Sequence, residues 1–239
     1  MWAGLVDLLF PPRCAGCGAH GAPFCPPCSA GLTRVRPPIC GRCGDPLDHA
    51  APWCPVCLRR PPPYALARSL AAYDGVLRDA IRALKFHGRR DVAAPLGGLL
   101  AGFASEAICG EIDAVVPVPL HPARLAARGF NQAALLAQPV AWKMSASCLV
   151  GALRRVHQEA PQVELGAAAR RANVAGAFAP GRQAVRGTVL LVDDVFSTGA
   201  TAAACAQTLV AMGAARVVVL TLARAILSRN PPEILRPGR

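Results

Sequence analysis

The sequence predicts an α/β fold, a parallel sheet flanked by helices, with a small cysteine-rich domain in front of it. Three observations carry this. The run Val189-Leu190-Leu191-Val192 has the length and branching of a strand buried on both faces, and such strands belong to parallel sheets. Further largely apolar runs at 70–73, 112–116 and 216–222 alternate with stretches whose apolar residues recur at helical spacing. Eight of the eleven cysteines lie in the first sixty residues, all in CxxC pairs. The chain is therefore expected to divide into 1–60 and 61–239.

Residues 1–10, MWAGLVDLLF, are apolar but contain Asp7 and no basic lead, so they read as a short amphipathic helix stopped by Pro11-Pro12 and not as a secretory signal. Hydrophobic residues make up 53% of the 239, yet no run reaches the ~18 to 20 apolar residues that span a bilayer. A soluble, cytoplasmic protein without a membrane span is expected.

The cysteine pairs are Cys14/Cys17, Cys25/Cys28, Cys40/Cys43 and Cys54/Cys57. A CxxC turn places two sulfurs on one metal, and two such turns complete a tetrahedral structural Zn²⁺ site, so four pairs imply two sites. Pairing in sequence order closes the shortest loops and is preferred, with a cross-braced arrangement as the alternative. Disulfides would need an oxidising compartment, which the lack of a signal argues against. Four sulfurs on each ion leave no open position for water, so the zinc is a scaffold. The segment is poor in large apolar side chains, and metal binding should supply most of its stability.

Arg59-Arg60-Pro61-Pro62-Pro63 reads as a stiff linker at the domain boundary. Leu70-Ala71-Ala72-Tyr73 predicts a short strand and Asp74-Gly75 a turn. Val76, Leu77, Ala80, Ile81 and Leu84 then form one buried helical stripe, with Gly88 as its stop. Lys85, in the last turn, either complements the helix dipole or reaches a phosphate. A second helix at 92–107 leads to the strand 112–116. After it comes a proline-stiffened loop, 117–125, containing Pro119 and Arg124, then Arg128-Gly129-Phe130-Asn131-Gln132 and an alanine-rich helix to about Trp142. Right-handed βαβ connection places that loop on the same sheet edge as residues 193–201. Residues 154–178 are polar, irregular and rich in arginine, as a functional lid would be. The strand 216–222 completes the sheet, and 230–239 is a proline-rich tail.

Formal charge is +12, and Lys85 and Lys143 are the only lysines among 26 Lys plus Arg. Arginine suits planar, bidentate phosphate contacts, which favours a polyanionic partner or substrate; a genome-wide bias toward arginine reads equally well. Two Zn²⁺ held by eight thiolates would bring the charge to about +8. GxxxxGK[ST] is absent, which weighs against an NTPase, and no GxGxxG follows a predicted strand, which weighs against a dinucleotide enzyme. Aromatics are 5% and form no repeated stacking platform for single-stranded nucleic acid.

The sharpest feature is VLLVDDVFSTGAT at 189–201. Asp193 and Asp194 stand where the apolar run stops, at the sheet edge where open α/β folds bind ligands. Ser197-Thr198-Gly199-Ala200-Thr201 then leads into a good helix former. Consecutive N–H groups at a helix start, with hydroxyls beside them, make an anion site. Two carboxylates beside a phosphate cradle suit a sugar phosphate, whose vicinal hydroxyls donate to the acids while its phosphate accepts from the loop.

This stretch resembles the 5-phosphoribosyl 1-pyrophosphate (PRPP) loop of type I phosphoribosyltransferases. Taken with the four CxxC pairs, YDG, LKFHG, VPVPLHPARLAARGFNQA and RRANVAGAF, it resembles the ComF family of phosphoribosyltransferase-like proteins, over about Leu8 to Arg224. The resemblance implies a type I phosphoribosyltransferase-like fold that binds PRPP with Mg²⁺. It implies that Asp193 and Asp194 hold the ribose 2′ and 3′ hydroxyls, and that Ser197, Thr198, Gly199, Ala200 and Thr201 hold the 5′-phosphate. The region 117–124, with Pro119 and Arg124, would hold the pyrophosphate, Arg128 being a second candidate. Lys85 and Arg128 match family motifs. The segment 154–178 would close over PRPP; the family's usual T-P-x-Q reads Ala160-Pro161-Gln162 there, and Ser197 replaces a common threonine.

As an enzyme, a transferase of pentosyl groups, such a protein would break the ribose C1–pyrophosphate bond through an oxocarbenium-like transition state, with Asp193, Asp194 and Arg124 supplying position and charge. The family's competence members take part in handling incoming DNA during natural transformation, beside a helicase-like partner. The alternative is a non-catalytic phosphoribosyl-binding module that contacts single-stranded DNA or that partner.

Overall fold

A computed structural model describes residues 11–157 and 176–226. The helix expected at 1–10, the middle of the expected lid and the proline-rich tail lie outside the described residues. Two short helices, α1 (Pro26–Ala30) and α2 (Pro55–Arg59), belong to the cysteine-rich segment. Next come β1 (Leu66–Ala72), α3 (Gly75–Phe86), a 3₁₀ turn (Arg90–Val92) and α4 (Ala93–Ala107). They are followed by β2 (Ala114–Pro117), α5 (Pro122–Arg128), α6 (Gln132–Lys143) and β3 (Ser147–Cys148). A pair of strands, β4 (Leu153–Arg155) and β5 (Phe178–Pro180), precedes β6 (Thr188–Phe196), α7 (Ala200–Ala211) and β7 (Arg216–Arg224).

Five strands form one sheet in the order β1-β7-β6-β2-β3, and every neighbouring pair is parallel. Side chains of an extended strand alternate between faces, and the core follows that alternation. Leu190, Val192, Val218 and Leu220 pack under the layer of α3, α4 and α6. Val189, Leu191, Val217 and Val219 pack on the opposite face with α7 and the second cysteine set. In the helix layer α4 and α6 cross closely because Gly97 has no side chain: a Cβ there would lie 2.9 Å from Pro139 Cγ. The chain leaves β2 toward β3 on one side and leaves β6 toward β7 on the other. The carboxyl ends of β2 and β6 therefore flank the point where the winding reverses, the place where such sheets open a ligand crevice.

Three local expectations are revised. Strand β6 does not stop before its acids but runs on to Phe196, because its backbone stays paired with β7 at Asp193↔Thr221, Val195↔Ala223 and Phe196↔Arg224 whatever the side chains are. The loop after β2 contains the helix α5: Pro122 takes the first helical position, His121 Nδ1 accepts from Ala123 N at 3.3 Å, and Gly129 at φ 78° ends it. The segment 154–178 begins and ends in an antiparallel ribbon, Arg155 opposite Phe178.

The cysteine-rich segment is sewn to the sheet along β1. Arg42 O accepts from Ala67 N at 2.6 Å, Leu70 O accepts from Val35 N at 3.2 Å, and Thr33 O accepts from Ala72 N at 2.8 Å. It thus covers what would otherwise be a bare sheet edge. No helix among the described residues is long and apolar enough to cross a membrane.

Candidate functional site

A crevice of about 710 Å³ opens at the ends of β2 and β6. It brings together Lys85 from the end of α3, Pro119 from the loop after β2, Arg124 and Arg128 from α5, and Asp193, Asp194 and Thr201 from β6 and α7. The expected site residues Ser197, Thr198, Gly199 and Ala200 do not line that crevice. They border a second cavity, of about 600 Å³, on the side facing the second cysteine set. The turn between β6 and α7 is therefore a partition between two cavities.

Asp194 is 2% exposed and sits at the centre of a polar chain. Lys85 Nζ contacts its Oδ2. Gln132 Nε2 donates to its Oδ1 at 3.3 Å, and Gln132 Oε1 accepts from Arg128 Nη1 at 2.5 Å. Burial pushes the Asp194 carboxyl up, but the Lys85 ammonium and the hydrogen bonds from Asp193, Lys85 and Gln132 hold it below the usual carboxylate range. Asp193 moves the other way. Burial, reinforced by the negative Asp194 beside it, raises its carboxyl well above the usual range, while its Oδ1 accepts from Asp194 N at 2.9 Å. Burial works against the Lys85 ammonium, yet the two acids raise it above the ordinary lysine value. The three groups together carry no net charge, and the arginines around them make the crevice positive.

Gln132, Phe86 and Arg155 were not singled out as site residues. Gln132 caps nothing and has no motif chemistry of its own; its role appears only when α6 packs on β6. Phe86 is 67% exposed at the rim, with the Arg128 guanidinium 5.6 Å from its ring centre. Arg155 reaches the crevice from the ribbon, 5.3 Å above the Phe178 ring, and donates to His157 O at 3.3 Å. It had read as one of many arginines in an irregular stretch.

The turn into α7 is built around Gly199 at φ 76°, a backbone conformation that side chains disfavour. A Cβ there would also lie 2.7 Å from Phe196 Cζ. Thr198 Oγ1 accepts from Ala200 N at 3.4 Å, and Gly199 O accepts from Ala203 N at 2.8 Å.

Two tetra-cysteine sets gather in sequence order, Cys14-Cys17-Cys25-Cys28 and Cys40-Cys43-Cys54-Cys57, with all sulfurs of a set within 4.8 Å of one another. The Sγ···Sγ separations of 3.7 Å for Cys14–Cys28, 3.6 Å for Cys17–Cys25 and 3.7 Å for Cys43–Cys54 exclude disulfides. They match the edge of about 3.8 Å that a tetrahedron has when its bonds are the ~2.3 Å of Zn–S. Backbone N–H groups already point at the sulfurs: Cys25 N donates to Cys14 Sγ at 3.3 Å and Cys54 N to Cys40 Sγ at 3.2 Å. Although burial opposes ionisation, these donors bring the Cys14 thiol down to about 6 and Cys40 to about 7, while burial pushes Cys43 up to about 12. The donor set fits structural Zn²⁺, whose charge would draw the remaining thiols to thiolates.

Residues 5–58 match the double zinc ribbon domain. DNA utilization protein YhgH of Salmonella typhi is 34% identical over 210 residues, which cover 85% of this chain and 91% of that protein. The protein of the same name from Escherichia coli (strain K12) is 35% identical over 207 residues, with the same 85% and 91% coverage. Competence protein F of Haemophilus influenzae is 31% identical over 200 residues, covering 79% and 85%. With relatives this similar over most of their length, and with the parallel sheet and paired cysteine sets described above, the chain belongs to the ComF family of phosphoribosyltransferase-like proteins that carry an N-terminal double zinc ribbon.

Proposed function

We propose that the crevice between β2 and β6 binds PRPP or a closely related phosphoribosyl ligand, and that the protein serves DNA utilization of the kind its relatives are named for. The observation that carries the reading is the placement of an ionised, buried Asp194 within a ring of Lys85, Arg124, Arg128 and Arg155, directly before a hydroxyl-rich turn into α7. Lys85 holds Asp194 Oδ2 and Gln132 holds Oδ1, and a carboxylate oxygen accepts more than one hydrogen bond, so the ribose hydroxyls can join these partners without displacing them. The arginines suit the pyrophosphate, which Arg binds in a planar fork. The first amides of α7 and the hydroxyls of Ser197, Thr198 and Thr201 suit the 5′-phosphate, which would enter where Thr201 lines the crevice and lie against the turn that divides it from the second cavity.

Among the described residues the groups of three or more metal-binding side chains are the two cysteine sets. Mg²⁺ would thus enter with the phosphates of the ligand, where it would neutralise charge on the departing pyrophosphate. Asp193 and Asp194 fix the ribose, the Asp194 carboxylate lies beside the developing oxocarbenium charge, and Arg124 stabilises the leaving group. In the cell a helicase-like protein or single-stranded DNA would be the partner, and the cytoplasm the setting.

Calorimetry of PRPP with Mg²⁺ into the zinc-loaded protein tests the reading. Binding is expected, with the affinity lowered about tenfold or more in Asp193→Asn/Asp194→Asn. No binding, or equal binding by the variant, would overturn it. A pyrophosphate-release assay with the same protein then separates turnover from retention of the ligand.

A further inference from the structure

The two cysteine sets are not equally covered. Cys40, Cys43, Cys54 and Cys57 are all buried, at 7% exposure or less, and Arg224 closes the set off further, its Nη2 lying 3.8 Å from Cys43 Sγ. In the first set Cys14, Cys25 and Cys28 are buried but Cys17 is exposed. Gly18 beside it leaves that side of the knuckle open, since an added Cβ would meet nothing within 4 Å. The Cys17 sulfur lies 3.6 Å from Cys25 Sγ. Backbone donors gather instead on Cys14 Sγ, from Gly16 N at 3.4 Å and Cys25 N at 3.3 Å, where they stabilise a thiolate and blunt it as a nucleophile. Cys17 thus combines the accessibility and the sulfur neighbour that oxidation to a disulfide requires. Cys109 is exposed as well, but it stands in neither set.

We infer that Cys17 is an oxidant-reactive site, and that hydrogen peroxide converts the first cysteine set, and not the second, from a zinc site into a disulfide. The Cys17 thiolate attacks the peroxide, so that a sulfenic acid forms on its sulfur and hydroxide leaves. The Cys25 thiolate then displaces a second hydroxide from that sulfur, and the Cys17–Cys25 disulfide closes. Two thiolates have lost two electrons, and the peroxide has become two hydroxide ions. Two of the four sulfurs are then consumed, and the other two cannot complete a tetrahedral site. What loosens is the support of α3. Phe24 and Leu32 share one core with Leu77, Ala80, Ile81 and Leu84, an added Cβ on Gly16 would lie 2.8 Å from Val76 Cβ, and Arg89 Nη2 donates to Arg13 O at 2.7 Å. Helix α3 carries Lys85 in its last turn, so the first set stands behind the Lys85 contact with Asp194.

The experiment treats the whole zinc-loaded chain with hydrogen peroxide and follows release with a zinc-responsive dye. Two phases are expected, one of the two ions leaving at least several-fold faster than the other. Peptide mapping at the end of the first phase, after alkylation of the remaining thiols, should find the Cys17–Cys25 disulfide and a fully reduced Cys40 set. A thiol reductant with added Zn²⁺ should restore the lost ion. Amide exchange in α3 should be faster in the oxidised protein than in the zinc-loaded one. Cys17→His keeps a metal ligand that cannot form a disulfide, and the fast phase should disappear; Cys109→Ser should leave it unchanged. Release of both ions in one phase, no release, or a first disulfide within the Cys40 set overturns the inference whatever the variants do, because these readings come from the unaltered protein. Unchanged exchange in α3 would overturn its link to the first set.

Discussion

Asp194 N donates to Asp193 Oδ1 at 2.9 Å, and the two adjacent carboxyl groups shift in opposite directions, Asp193 well above the usual range and Asp194 below it, so the pair carries one negative charge. The asymmetry comes from their neighbours. Asp194 has the Lys85 ammonium and the Gln132 amide, whereas Asp193 has burial and a negative neighbour.

Stability should therefore depend on pH through each acid in opposite ways. Asp193 has a raised folded pKa, so the native state keeps a proton that the unfolded chain releases near pH 4. Its contribution is fully present below that pH and is lost as pH rises through the folded value. Asp194, with a lowered pKa, contributes stability above the ordinary carboxylate range that is lost as pH falls through its folded value. Asp193→Asn keeps an oxygen to accept from Asp194 N and cannot ionise. Relative to the unaltered protein, the variant should gain stability as pH rises above about 4, in urea unfolding at several pH values. A difference that stays flat with pH would show that Asp193 is ionised in the fold.

Removing the partners of Asp194 should cost in proportion to what each leaves behind. Lys85→Met strands a carboxylate that is 3% exposed, and about 3 to 5 kcal/mol of destabilisation is expected. Gln132→Leu leaves the charge paired but orphans Asp194 Oδ1 and one Arg128 donor, for about 1 to 3 kcal/mol. Lys85→Met combined with Asp194→Leu should recover most of the Lys85→Met loss in denaturant melts, since no buried charge remains.

Gly199→Ala tests the turn itself. The new Cβ meets both an unfavourable φ of 76° and the Phe196 ring 2.7 Å away. About 1 to 3 kcal/mol of stability should go, with a fall in thermal midpoint of several degrees. Zinc content should stay at two ions per chain, because the cysteine sets are built elsewhere.

How much of this was legible beforehand depends on sequence distance. The zinc ligands and their pairing are local, a CxxC turn followed by another within about a dozen residues, and the sequence-order sets are those that form. The β6–α7 turn was readable for the same reason, since strand, acids, hydroxyls and helix follow one another without a gap. What escaped is made by contacts across the fold. Gln132 meets Asp194 from 62 residues away, and Arg155 enters the crevice only because its strand pairs with β5. The end of β6 was misplaced because backbone pairing with β7 overrides the polar side chains of Asp193 and Asp194. The separation of Lys85 and Arg128 from Ser197–Ala200 into neighbouring cavities is likewise a matter of packing.

Arg224 provides the strongest test of how the zinc region is tied to the sheet. It lies 181 residues from Cys43, at the end of β7, with its side chain 5% exposed. Its Nη1 donates to Cys43 O at 2.6 Å, its Nε to Asp45 Oδ1 at 3.0 Å, and its guanidinium stacks 4.7 Å from the centre of the Phe196 ring. One residue thus grips the second cysteine knuckle and the start of the β6–α7 turn together. Arg224→Met keeps apolar bulk but leaves Cys43 O without that donor and Asp45 without its partner. About 2 to 4 kcal/mol should be lost, and the loss should fall unevenly. The Cys14 set does not touch Arg224, so one zinc ion should leave to a chelator at the original rate and the other several-fold faster. Chelator competition with a zinc-responsive dye reads both phases in one trace. Two equally accelerated phases would mean that Arg224 stabilises the whole fold and not the Cys40 set in particular.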